Sequence, residues 1–279
     1  MDFLLFLSFL ILELITQIQI EAKFLFKFGN LNNPRGISLS PTGEVYIADT
    51  GNNSVKKFTK DGKLIREISG YGWGELEFDQ PYDVDAGSGI AIYVADYNNH
   101  RVQRFDKNLN FIATLQGESD GGKFFGFPKS IALSKFGEIF IIDEENLRCV
   151  KINKFNKIEK TFGGIEAGAG KLIKPIQIAI TSQNLISVLD ENYVLIYDYY
   201  GNFLRKFGNE YLKNPTGLFA DSLIYVADGN DIFVFDTRGK FIGKIRSDEE
   251  IYDIACQGSL LYCLTEKEVL VYKLTYLKK

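Results

Sequence analysis

Residues 81–117 read PYDVDAGSGIAIYVADYNNHRVQRFDKNLNFIATLQG, and the punctuation of this stretch decides the fold. Residues 81–86 form a short strand that stops at Gly87-Ser88-Gly89. Residues 90–96 are a continuous apolar run ending in Asp96. Residues 100–106 alternate Val102 and Phe105 with basic neighbours, and residues 111–117 close the unit. Period-two alternation bounded by Gly, Asn and Asp marks strands rather than helices. The stretch is four short strands joined by turns.

The pattern recurs along the chain. Five of the six prolines, Pro34, Pro81, Pro128, Pro175 and Pro215, are spaced by 47, 47, 47 and 40 residues. Three residues after each stands an aliphatic: Ile37, Val84, Ile131, Ile178 and Leu218. A sixth copy lacks the proline and reads Ile251-Tyr252-Asp253-Ile254. A second landmark, an apolar triplet closed by Asp, falls at Asp49, Asp96, Asp143, Asp190 and Asp228, and decays to Thr265 in the last copy. Two landmarks keeping one period of about 40–47 residues indicate tandem propeller blades. The expectation is an all-β, six-bladed β-propeller.

The ends of the chain say how such a ring closes. The last unit runs out after three strands, near 251–256, 260–264 and 269–274. Its missing fourth strand is found at the other end, where Phe24-Leu25-Phe26-Lys27-Phe28-Gly29 matches Phe203-Leu204-Arg205-Lys206-Phe207-Gly208. The N-terminal strand is therefore expected to complete the last blade, which also removes an open edge.

Residues 1–22 read differently from the remainder. Residues 3–12, FLLFLSFLIL, are apolar except for Ser8, and the run then breaks into Glu13, Gln17, Gln19 and Glu21. The run is too short for a membrane span. Its length suits an export leader cut before Lys23, although Asp2 stands where a positive patch is usual. Residues 1–22 are thus assigned to a signal peptide or N-terminal anchor, with a membrane tether through residues 3–20 as the alternative, and residues 23–279 to a single propeller. An extracytoplasmic location follows from that assignment, and a cytoplasmic one if the leader is not an export signal. Removing residues 1–22 takes three acids and no base, moving the net charge from −4 to −1. Charge therefore argues neither for nor against nucleic acid.

Composition narrows the chemistry. Forty-six per cent apolar residues provide a full core, and 26 Gly, 23 Phe and 15 Tyr against one Met favour strands and turns. A single His excludes every mechanism that needs two. Cys149, Cys256 and Cys263 have no zinc-site spacing; Cys256 and Cys263 lie on one hairpin, where they either pair in an exported protein or remain buried thiols.

The stretch Asp96-Tyr97-Asn98-Asn99-His100-Arg101-Val102-Gln103-Arg104-Phe105 resembles the signature of the NHL-repeat family of six-bladed propellers. Asp49 to Phe58 is similar, and the glycine-rich leads 70–81 and 117–128 resemble the family's inter-blade loops. The resemblance implies a propeller with protein or carbohydrate-type ligands. His100 fills the family's own His position, so it belongs to the blade pattern.

Repeated residues and divergent ones carry different information. Asp49, Asp96, Asp143, Asp190 and Asp228 recur in place, as expected of side chains that bond backbone N–H groups and shape turns. The copies diverge just after the repeat proline, at Arg35-Gly36, Tyr82-Asp83, Lys129-Ser130, Ile176-Gln177, Thr216-Gly217 and Tyr252-Asp253. If these begin the innermost strands they ring the channel mouth. Arg35, Tyr82, Asp83, Lys129, Gln177, Tyr252 and Asp253 are therefore the candidate ligand face. No catalytic residue, metal or cofactor is assigned.

Three functions compete. The favoured one is a non-catalytic, monomeric binding or scaffold propeller. The second is a metal-dependent, lactonase-like hydrolase, which would need Glu, Asn and Asp around an ion, and no Glu stands at the channel positions. Peptide-amidating lyases also resemble this repeat, but need several His. The third is RNA binding, with Tyr82 and Tyr252 stacking and Arg35, Lys129, Arg101 and Arg148 neutralising phosphates; Asp83 and Asp253 oppose it.

Overall fold

The computed structural model describes residues 18–115, 118–119, 122–123 and 125–278. The apolar run at 3–12, on which the leader or tether rests, lies outside the described residues, as do residues 117, 120, 121 and 124 of the lead.

The described chain is a six-bladed β-propeller of four-stranded antiparallel sheets. The second blade is made of Pro81–Asp85, Ala91–Asp96, Arg101–Asp106 and Phe111–Leu115, from the channel outward. The other innermost strands are Gly36–Leu39, Pro128–Leu133, Pro175–Ile180, Pro215–Ala220 and Asp253–Gln257. Helical structure among the described residues is limited to two short 3-10 turns, Thr50–Asn52 and Gly168–Gly170. No described helix is long and apolar enough to cross a membrane.

Why the second strands are continuous apolar runs follows from where they sit. Val45–Asp49, Ala91–Asp96, Ile139–Asp143 and Ile186–Asp190 are buried at every residue, because the sheets of both neighbouring blades cover their two faces. The core is accordingly six clusters, each shared by two adjacent blades. Tyr46, Val55 and Phe78 meet Val84, Ile92 and Phe105 between blades 1 and 2. The sixth cluster joins Phe28, Ile37 and Val45 to Tyr262, Leu264 and Val269, so the contact between the last blade and the first is built like the other five.

Closure uses the N-terminal strand, Ile18–Phe28, paired antiparallel with Val269–Lys278. The strand begins at Ile18, five residues ahead of the boundary drawn at Lys23. Ile20 and Ala22 alternate inward and pack on the cluster between blades 5 and 6. In the same blade, register sets Cys256 opposite Leu261 and Cys263 opposite Ile254, and all three cysteines are free thiols. Burial pushes the Cys256 thiol up to about 12, which keeps it protonated at neutral pH.

Candidate functional site

The channel mouth is shaped by one local irregularity. In blades 2 to 5 the repeat Pro pairs with the repeat Asp of the second strand, as in Pro81 with Asp96. The next cross-strand pair then skips one residue of the inner strand, so Asp83 faces Ala95. The same slip occurs at Pro128/Ser130, Pro175/Gln177 and Pro215/Gly217. Pro lacks an N–H and tolerates the first position of a strand. The bulge makes Tyr82, Lys129, Ile176 and Thr216 extra residues, and a bulge re-aims its side chain.

The residue after each bulge builds a ring of hydrogen bonds around the channel. The Ile131 amide donates to Asp83 Oδ2 (2.9 Å), the Ile178 amide to Ser130 Oγ (3.1 Å), the Leu218 amide to Gln177 Oε1 (2.5 Å) and the Ile37 amide to Asp253 Oδ2 (2.9 Å). Four of the six inner strands thus donate to a side chain of the preceding blade. At Gly36 and Gly217 there is no side chain to accept, and the following blade supplies its own acceptor. Val84 N–H donates to Asp83 Oδ1 and Ile254 N–H to Asp253 Oδ1. A Cβ on Gly36 would lie 2.7 Å from Cα of Asp83, and one on Gly217 2.7 Å from Cα of Asp253. The order Gly-Asp-Ser-Gln-Gly-Asp is therefore a packing and hydrogen-bonding sequence.

Asp83 and Asp253 are buried with neutral donors only. Ser130 Oγ donates to Asp83 Oδ2 (2.6 Å), and Gln177 Nε2 reaches past blade 5 to Asp253 Oδ1 (2.9 Å). No Lys or Arg forms an ion pair with either among the described residues. Burial pushes the Asp83 carboxyl up to about 7. Burial, and then the nearby Asp83, hold Asp253 well above the usual carboxylate range.

Above this ring the mouth encloses a cavity of about 190 Å³ with Arg35, Tyr82, Lys129, Lys174, Thr216 and Tyr252 around it and Asp83, Ser130 and Gln177 of the ring at its floor. The Arg35 guanidinium lies 5.0 Å from the Tyr252 ring centre, and the Lys129 ammonium 5.9 Å from that of Tyr82. Lys129 is paired with Glu144, whose other oxygen accepts from Tyr97 OH (2.5 Å). Arg35 has no carboxylate partner among the described residues. Tyr82, Tyr97 and Phe127 form a row of rings, with centres 5.4 and 4.9 Å apart, and His100 follows at 4.5 Å from Phe127. The opposite end of the channel opens into a cavity of about 530 Å³ that includes Asp85, Asp221 and Gln257. One mouth is basic and aromatic; the other is acidic.

The structure thus divides the seven candidate residues into two layers. Arg35, Tyr82, Lys129 and Tyr252 surround the mouth. Asp83, Gln177 and Asp253 form part of the ring below, with their polar atoms engaged. Arg101 and Arg148 lie elsewhere: each donates through Nε to its blade's repeat Asp, Asp96 and Asp143 respectively. Sequence reasoning missed Tyr97, Phe127 and Glu144. Tyr97 and Glu144 follow the repeat Asp, where the copies read Thr50, Tyr97, Glu144, Glu191 and Gly229, as divergent as the residues after the proline. No group of three or more potential metal ligands occurs among the described residues.

The repeated Asp residues are turn and loop anchors. Asp49, Asp96, Asp143 and Asp190 each accept from the amide 17 residues earlier, at Asn32, Asp79, Gly126 and Ile173. The only His of the chain takes a left-handed conformation (φ 51°) in a turn, with Nδ1 on the Gly126 carbonyl.

Comparison with known proteins agrees with this architecture. The family model described as NHL repeat matches residues 31–58 and 78–105. RING finger protein nhl-1 of Caenorhabditis elegans is 45% identical over 53 residues, which is 19% of this chain and 5% of that protein. Virginiamycin B lyase from Staphylococcus aureus superposes with a TM-score of 0.61 at 15% identity, over 93% of this chain and 100% of the lyase. A putative gluconolactonase gives 0.72 at 14% identity, over 93% of both chains. A gluconolactonase from Xanthomonas campestris gives 0.67 at 11% identity, over 92% of this chain and 90% of that one. Identities this low show a shared fold.

Proposed function

We propose that this chain, a six-bladed propeller carrying NHL repeats, is a binding module that takes an anionic or hydrogen-bonding group of a protein or carbohydrate ligand at its basic channel mouth. The observation that supports this is the contrast between the two layers. At the mouth, Arg35 is held over Tyr252 with its charge unpaired among the described residues. In the ring below, each carboxylate already accepts three hydrogen bonds from neutral donors. A guanidinium backed by an aromatic face is pre-organised for a carboxylate, sulfate or phosphate. We place this activity outside the cytoplasm, on the strength of the apolar run at 3–12.

A second reading is favoured by one observation. Asp83 titrates near neutrality inside a channel, as a general acid or base would, and the fold neighbours include a lyase and gluconolactonases. Glycan and peptide arrays probed with the wild type, Arg35→Ala and Asp83→Asn separate the two. The binding reading expects signal on acidic ligands that falls about tenfold in Arg35→Ala and persists in Asp83→Asn. Turnover of a lactone panel that vanishes in Asp83→Asn would overturn it in favour of an enzyme.

A further inference from the structure

The loop between blades 1 and 2 carries a surface that the channel mouth does not explain. It joins Leu64–Ser69 to Pro81–Asp85 and exposes Tyr71 (75%), Trp73 (58%) and Leu76 (41%). This loop is held from beneath. The buried guanidinium of Arg101 bonds Asp96 through Nε. Its other nitrogens donate to the carbonyls of Trp73 (2.6 Å), Gly74 (2.9 Å) and Glu77 (2.8 Å). Asn99 donates to the Gly72 carbonyl and Gln103 to that of Glu77. Glu77 folds back to accept from the Gly74 amide, and a Cβ at Gly72 would meet its carboxylate at 2.2 Å. Phe78 plugs the loop into the core between the two blades.

Three buried polar side chains are thus used to hold one loop in one shape. A surface ordered before binding loses little entropy on binding. Trp and Tyr are the residues that most often dominate an interface. The arrangement also limits what the partner can be. The backbone carbonyls of Gly72, Trp73, Gly74 and Glu77 are taken up from within, so what the loop turns outward is its side chains, led by the two rings. Leu76 extends the apolar surface beyond the two rings. Within the loop the exposed charges are Glu75 and Glu77, neither in an ion pair among the described residues, and the Arg101 charge is matched by Asp96.

We propose that the 70–78 loop is a docking surface for a protein partner that offers an apolar pocket rimmed by Lys or Arg. The proposal concerns a surface separate from the channel mouth and stands whether or not the mouth binds anions. Trp73 is the only tryptophan of the chain, so its fluorescence reports on this loop alone. Peptides selected by display on the full chain are titrated into the wild type, Tyr71→Ala, Trp73→Ala, Trp73→Phe, Glu75→Lys and Arg35→Ala, with melting curves to confirm folding. The expected peptides are enriched in Lys or Arg with aliphatic residues and shift Trp73 emission to shorter wavelength. They lose about tenfold in affinity with Trp73→Ala and Tyr71→Ala, recover in part with Trp73→Phe, weaken with Glu75→Lys, and bind Arg35→Ala as they bind the wild type. Failure to enrich any peptide, peptides without basic residues, binding indifferent to Trp73→Ala, or unmoved Trp73 emission would each overturn the proposal. A glycan bound through Trp73 in place of a peptide would overturn it as well.

Discussion

Blades 1–3 and blades 4–5 reach the same fold with different anchors. In the first three, the repeat Asp binds an inter-blade amide, an Asn three residues on and a cation on the third strand. These sets are Asp49 with Asn52 and Lys56, Asp96 with Asn99 and Arg101, and Asp143 with Asn146 and Arg148. In blades 4 and 5, the side chains of Asp190 and Asp228 are bonded, among the described residues, only to loop amides, those of Ile173 and Lys174 and of Lys213 and Asn214. The cause is the length of the turn. Asp190 and Asp228 are followed after two residues by Tyr193 and Asp231, where Asp49 is followed after four by Ser54. A two-residue turn has no place for the Asn, and the third strand starts too early to return a cation. Blade 6 goes further and keeps only Thr265, bonded to Glu268. Blades 4 and 5 thus keep only an acceptor for the incoming loop, blade 6 leaves that loop to backbone carbonyls such as that of Leu264, and the cation fixes the loop's shape where it is present, as in blade 2.

The largest effect is expected where the anchor is weakest. Blade 6 relies on the pairing of Ile18–Phe28 with Val269–Lys278, and Phe28 lies in the cluster that closes the ring. A chain shortened to begin at Gly29 loses the whole edge strand with buried Phe28 and half-buried Ile20, Ala22 and Phe26, where a fully buried side chain is worth about 1.5–3 kcal/mol against a total stability on the order of 5–15 kcal/mol. It should lose its cooperative thermal transition, and a melting curve unchanged from the full chain would contradict the closure. Next, Asp96→Ala leaves the Arg101 charge buried and unpaired, which costs about 3–5 kcal/mol. Asp190→Ala frees only two amides at exposed residues and costs about 1 kcal/mol. Equal losses in urea unfolding would erase the distinction between the two kinds of blade. Gly36→Ala and Gly217→Ala press a methyl on the backbone of the neighbouring Asp and should each cost about 1–3 kcal/mol. Arg35→Ala, at the half-exposed mouth, should change stability by less than about 0.5 kcal/mol while altering ligand binding.

Much of this was legible in the sequence, and the remainder has identifiable causes. The spacing of Pro34, Pro81 and Pro128 and of Asp49, Asp96 and Asp143 reports blade repetition directly. The likeness of Phe24–Gly29 to Phe203–Gly208 reports closure. That the closing strand takes in Ile18 to Ala22 is obscured by the apolar run before it, although Ile18, Ile20 and Ala22 alternate with Gln19 and Glu21 as a strand does. Divergence after the proline picked out channel positions. It could not show that Tyr82 and Asp83 separate into mouth and ring, because that depends on a bulge visible only in the cross-strand register. The 70–78 loop resembles the family's connection in sequence, and that it is held in one shape depends on where the Arg101 guanidinium points.

The account holds that Asp83 and Asp253 are structural acceptors that the fold keeps away from cations. A carboxyl whose pKa is higher folded than unfolded holds its proton more tightly when folded. Stability therefore falls as pH rises from about 4, the unfolded value, through the folded value. With Asp83 pushed up to about 7, and Asp253 and Asp85 raised in the same direction, the wild type should melt progressively lower from pH 4 to beyond pH 7. The most direct measurement is thermal melting across that range for the wild type and the Asp83→Asn/Asp253→Asn double variant, with bound metal assayed in both. The account predicts a flatter profile in the double variant and no stoichiometric metal in either protein. A variant that keeps the wild-type slope, or a divalent ion present in the wild type and lost in the variant, would contradict it.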